Sequence, residues 1–128
     1  MILVDTNILI AVLRTGDTKI IQILRSETAA SCGVVRAELM CGARNPSEIA
    51  AVHTLLASLP SLIIHDSLWT CVGEHLALLR SRGNTVPFPD VILATLAISF
   101  DIPFWSRDQH FTQMQQALPK LRLFQESP

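Results

Sequence analysis

Short apolar runs alternate with longer stretches of helical period along this chain, and that alternation limits the fold more than any other feature. Ile2-Leu3-Val4, Ala29 to Cys32, Leu62-Ile63-Ile64 and Pro103-Phe104-Trp105-Ser106 are too short for helices and read as strands, with Leu121-Arg122-Leu123-Phe124 as a closing fifth. Strands apolar on both faces belong in a parallel sheet that is covered on both sides. The intervening stretches read as helices: Ile8 to Leu13, ended by Gly16; a second capped by Asp17 and Thr18; and Val34 to Cys41, closed by Gly42. A fourth, capped by Ser47, runs to Pro60, a fifth runs from Ser67 to Arg80, and a last one covers Phe111 to Leu118. Asp90 to Ile98 is apolar nearly all round, the pattern of a buried central helix. The chain is therefore expected to form a doubly wound α/β domain, a parallel twisted sheet of four to five strands flanked by helices in three layers. Its 128 residues suit a single domain spanning 1–128.

Composition excludes several classes of function. Hydrophobic residues make up 49% and charged ones 16%, which rules out a disordered chain. No apolar stretch approaches the roughly 20 residues that span a bilayer, so no membrane association is expected. Met1 leads directly into the first strand with no secretory signal, and the expected location is cytoplasmic. Cys32, Cys41 and Cys71 contain no C-x-x-C pair and read as reduced, buried thiols. The net charge of −1 gives no overall field to attract a polyanion, so a nucleic-acid partner would have to be held by a local patch. Gln125 to Pro128 reads as a frayed end.

Four acids stand where a purely structural sequence needs none. Asp5 and Asp108 follow strands, Glu38 interrupts an apolar helix, and Asp90 opens the buried one. In a parallel sheet with the first and fourth strands adjacent, Asp5 and Asp108 share the carboxyl edge, where open α/β sheets place their ligands. Asp90 begins the helix that feeds the fourth strand, and Glu38 lies about two helical turns past the second, so both can reach that edge. Two like charges about 4 Å apart cost on the order of 4 kcal/mol at an effective dielectric near 20, so such a cluster calls for cations. An all-oxygen donor set favours Mg²⁺ or Mn²⁺, metals that act on phosphates.

Each acid also has a structural reading. Asp90 and Asp108 can cap helices, Asp5 can form an Asx turn, and Glu38 can pair with Arg36 or Arg44. Residue types and topology leave both readings open. The four His residues, His53, His65, His75 and His110, form no H-E-x-x-H pair and read as scattered surface or partly buried groups. No glycine-rich nucleotide motif is present. A dehalogenase-like phosphatase would need a second Asp where Asn7 stands.

Asp5-Thr6-Asn7 after an apolar strand, Glu38-Leu39 before Gly42, Asp90 to Ala97, and Ser106-Arg107-Asp108 before Phe111 resemble, in order, the motifs of the PIN domain. The resemblance covers residues 1 to 124, and its order and length are similar to those of VapC-type toxins of bacterial toxin-antitoxin pairs. It implies a Mg²⁺- or Mn²⁺-dependent ribonuclease, typically dimeric and silenced by a cognate antitoxin. It also implies that Asp5, Glu38, Asp90 and Asp108 are the metal ligands, supported by Thr6, Asn7 and Ser106. The chain departs from the family pattern at Ser106, where Thr is usual, and at Trp105, which is bulkier than the aliphatic expected there. Metal-activated water would attack the phosphodiester in line, leaving 5′-phosphate and 3′-hydroxyl ends, with no general-base His. Arg36, Arg80, Arg82 and Arg107 are candidates to hold substrate phosphates. The alternative is a non-catalytic binding module of the same fold whose acids are structural. On either reading, the high apolar content fits a homodimer surface and a groove for an antitoxin helix.

Overall fold

A computed structural model describes residues 1–128. Four parallel strands, β1 (Ile2–Val4), β2 (Ala29–Cys32), β3 (Ser61–Leu62) and β4 (Phe104–Trp105), form one sheet in the order β3-β2-β1-β4. Seven helices flank it: α1 (Thr6–Thr15), α2 (Thr18–Ser26), α3 (Gly33–Gly42), α4 (Pro46–Ala57), α5 (Leu68–Ser81), α6 (Phe88–Phe100) and α7 (His110–Ala117). β1 is central. Its three side chains are almost entirely removed from water, as a strand covered on both faces requires.

The pairing of β1 sets the active edge. Ile2 lies opposite Ala29 and Val4 opposite Trp105, so the residues that follow β1, β2 and β4 emerge together. α6 buries all seven residues from Val91 to Ala97, which makes it the central helix that its unbroken apolar run requires. Prolines are tolerated at its start because the first-turn N–H groups have no helical partner, and Pro87 supplies the carbonyl that accepts Asp90 N–H at 3.1 Å.

Several local expectations are corrected. Asn45 caps α4 in place of Ser47: its side chain accepts Glu48 N–H at 2.9 Å, and Pro46 takes the first helical position. Ser67 precedes α5 without a side-chain cap. The closing strand contracts to a single bridge between Phe104 and Leu123. Cys32 is buried, but Cys41 and Cys71 are exposed, and all three are free. The last residues are pinned down. Glu126 receives both Arg107 Nε and Nη2 at 2.9 Å and Trp105 Nε1 at 3.1 Å. Trp105 therefore fits its strand, fully buried against Phe124 with ring centroids 5.3 Å apart, because its one polar atom finds a carboxylate. No helix is long and apolar enough to cross a membrane.

Candidate metal centre

The site starts from the β1–β4 ladder. Asp5 N–H donates to the Trp105 carbonyl at 2.9 Å, which places Asp5 beside Ser106. Asp5 takes the cap position of α1, with one carboxylate oxygen accepting Thr6 N–H at 2.8 Å and the other accepting the Ser106 hydroxyl at 2.7 Å. Thr6 donates its own hydroxyl to Glu38 on α3 at 2.7 Å. On the other side, Ser106 Oγ accepts Asp108 N–H at 3.0 Å.

His110 completes the chain. Its Nδ1 lies 2.6 Å from Asp108 Oδ1 and its Nε2 lies 2.6 Å from Asp90 Oδ2. A single run of hydrogen bonds thus links Glu38, Thr6, Asp5, Ser106, Asp108, His110 and Asp90, and gathers all four acids at the carboxyl edge of the sheet. Capping and pairing account for part of this: Asp5 caps α1, and Asp108 accepts His110 N–H at 3.3 Å at the start of α7, whereas Asp90 makes no cap bond and Arg44 pairs with Glu48, leaving Glu38 to Thr6.

Electrostatics mark Asp5 as the strained member. It is 5% exposed, and its carboxyl is pushed up to about 6 from 3.8. Burial is the main cause. The Ser106 and Thr6 hydrogen bonds oppose it, while the nearby charges of Asp90 and Glu38 add to it. A buried carboxylate flanked by two more is a charge excess that a cation would relieve. The oxygen-only acids suit Mg²⁺ or Mn²⁺. No three of these side chains are arranged as a ready-made coordination shell. Their oxygens point to Thr6, Ser106 and His110, so Asp90 and Asp108 would have to turn from the imidazole to hold an ion.

The remaining predicted residues divide into two groups. Thr6 hydrogen-bonds to Glu38 and Ser106 to Asp5, whereas Asn7 is exposed and bonds to none of the four acids. Arg36, Arg80 and Arg82 are exposed and form no ion pair. Arg107 does not belong with them: two of its nitrogens engage Glu126, and Nη1 engages Asp17 at 3.0 Å, so it locks the C-terminal segment to α2. Sequence reasoning set His110 aside because it lacks a paired His. The available signal was its position two residues after Asp108, which lets Nδ1 reach that carboxylate.

A parallel sheet flanked by helices, with acids along its carboxyl edge, defines a three-layer α/β domain. The PIN domain family model matches residues 2–116, and the chain belongs to that family. No curated protein matches it. VapBC2 from Rickettsia felis, solved bound to a DNA fragment from its promoter, is similar with a TM-score of 0.85 at 19% identity, covering 97% of this chain and 98% of that one. VapBC-1 from nontypeable Haemophilus influenzae gives 0.82 at 20%, with both chains covered completely. A toxin-antitoxin complex from Klebsiella pneumoniae gives 0.70 at 21%, covering 94% and 95%. At these identities the likeness establishes the fold, the three-layer arrangement expected from the alternating strands and helices.

Proposed function

We propose that this PIN domain is a VapC-type toxin, a metal-dependent endoribonuclease that hydrolyses RNA phosphodiesters at Asp5, Glu38, Asp90 and Asp108 and is silenced by a cognate antitoxin. The observation that carries this reading is the unbroken hydrogen-bonded run that brings the four acids to one edge. A divalent cation, Mg²⁺ or Mn²⁺, supplies Lewis-acid polarisation of the phosphodiester and activation of water when bound. The chain supplies the positioning. Thr6 and Ser106 fix Asp5, Thr6 also fixes Glu38, and His110 holds Asp90 and Asp108 in register. Arg36, Arg80 and Arg82, with no acidic partner, are available to draw phosphates toward an otherwise acidic edge.

Partner binding follows from two surfaces. A groove of about 440 Å³ between α1, α3 and α4 opens beside Glu38, with Ile10, Leu13, Leu39 and Val52 at its base and Arg14 and Arg44 among its lining. That mixture suits the apolar face of an antitoxin helix. The related folds were solved as VapBC and toxin-antitoxin complexes, which supports such a partner. Exposed Ile63, Trp69 and Phe100 are surfaces that a homodimer would cover.

The binding-module reading draws on the same network, since every carboxylate of the site already has a partner within the protein. Incubation of antitoxin-free protein with mixed RNA, with and without Mg²⁺ or Mn²⁺, separates the two. The nuclease reading predicts cleavage that EDTA and Asp5→Asn abolish, leaving 5′-phosphates. Metal-independent cleavage or cyclic-phosphate ends would refute this mechanism, and no cleavage in any arm would favour the binding module.

A further inference from the structure

A second cavity, of about 460 Å³, adjoins the acid cluster on the side of His110. It is an open cleft lined by the loop Gly83 to Pro87 and by His110, Gln113 and Met114 of α7. Two contacts tie it to the candidate site. His110 bonds Asp90 and Asp108 while lining the cavity, and Pro87, in its opposite wall, accepts Asp90 N–H.

The chemistry of the lining is distinctive. None of its eight residues is a Lys, Arg, Asp or Glu, so it offers neither a counter-ion for phosphate nor an acid for a metal. The side chains of Asn84, Thr85 and Gln113 make no hydrogen bond within the protein, while Val86, Pro87 and the buried Met114 supply apolar wall. Two amides, each with a donor and an acceptor, beside apolar surface match the edge and face of a neutral heteroaromatic ring. The loop is also preformed. Asn84 N–H bonds the Leu79 carbonyl at 2.9 Å, Gly83 N–H bonds the Arg80 carbonyl at 3.0 Å, and Gly83 takes the left-handed conformation, φ 77°, that closes this turn without strain. Phe88, which directly follows Pro87, leaves 53% of its surface exposed, so an aromatic face lies next to this wall in the chain.

We infer that this cavity is a nucleobase subsite that holds one unstacked base next to the scissile phosphate, with Asn84 and Gln113 reading its hydrogen-bonding edge. The inference rests on the acid cluster being the phosphodiester site. Single-stranded RNA presents bases in this splayed form, and amide side chains distinguish them by donor and acceptor pattern. The subsite would give cleavage its preference at one nucleotide.

The test uses the full chain, metal-free, labelled with ¹⁵N, and the four uncharged nucleosides as probes. Titration of at least one should move the side-chain amide resonances of Asn84 and Gln113 saturably, and Asn84→Ala and Gln113→Ala should each weaken that nucleoside about tenfold, the cost of one lost hydrogen bond. Amide resonances unmoved by all four nucleosides would overturn the inference, as would affinities in both variants equal to that of the parent. Inorganic phosphate producing the same shifts would also overturn it. Because no metal or cleavage is involved, nucleoside binding in a protein that cuts no RNA would leave the subsite standing and remove the ribonuclease. Cleavage without nucleoside binding would do the reverse.

Discussion

Replacing Asp5 by Asn removes one buried charge and keeps its hydrogen bonds. The Asn carbonyl can accept Thr6 N–H as the carboxylate does, and Ser106 can turn its hydroxyl to accept from the new amide. The predicted effect is a more stable metal-free protein that has lost its function. The carboxyl of Asp5 stands at about 6 when folded, roughly 2 above the ordinary value of 3.8. At about 1.36 kcal/mol per unit this is ~3 kcal/mol, a ceiling that water entering the open edge lowers to about 2–3. The sign follows from the direction of the shift. The folded form holds the proton more tightly, so the stability that Asp5 contributes is complete below 3.8 and is lost as pH rises through 6. In EDTA at pH 7.5, Asp5→Asn should therefore melt roughly 8–12 °C above the parent, taking ~4 °C per kcal/mol for a chain of this size. At pH 4 the two should converge. Paired thermal or urea unfolding between pH 4 and 8 isolates this one group, since the other titrating residues are common to both proteins. A variant that is less stable at pH 7.5, or a stability difference that does not change with pH, would refute the reasoning.

Three further outcomes follow from the same contacts. His110→Ala removes the imidazole that bridges Asp90 and Asp108, so metal-free stability should fall by about 1–2 kcal/mol while the thermal shift produced by Mn²⁺ grows; unchanged melting in EDTA would contradict the role given to His110. Glu126→Ala cuts the contacts to Arg107 and Trp105. With Arg107 partly solvated, it should cost about 1 kcal/mol, read by chemical denaturation, whereas a truly frayed tail would show no change. Leu3→Ala, in the fully buried central strand, should cost about 3–4 kcal/mol in the same assay without moving the nucleoside resonances.

The strands and the edge they define were legible because Ile2 to Val4 and Ala29 to Cys32 are apolar on both faces and end in Asp5 and Gly33, a break that shows in a single sequence. Asp5, Asp90 and Asp108 could be placed at one edge from topology alone. What topology does not carry is the direction of a side chain. His110 reaches Asp108 through a local turn, but Asp90 arrives from the N-terminus of α6, and only tertiary packing brings them together. Glu126 was missed for a similar reason. A short polar tail carries no periodicity, and its partners, Trp105 and Arg107, are twenty residues upstream on another element. Arg107 shows the same limit: its place beside Asp108 suggested substrate, and a sequence does not reveal that its nitrogens engage Asp17 and Glu126. At α4, Pro46 was a stronger signal than Ser47, since a proline in the first turn makes the preceding Asn the cap.

The account rests on the four acids being gathered to hold a divalent cation, and calorimetric titration of Mn²⁺ into the metal-free protein tests this most directly. Saturable binding that Asp5→Asn and Asp90→Asn each weaken at least tenfold, with Asn7→Ala and Arg107→Ala binding as the parent does, is the predicted result. An affinity unchanged by both acid substitutions, or no binding by the parent, would contradict it.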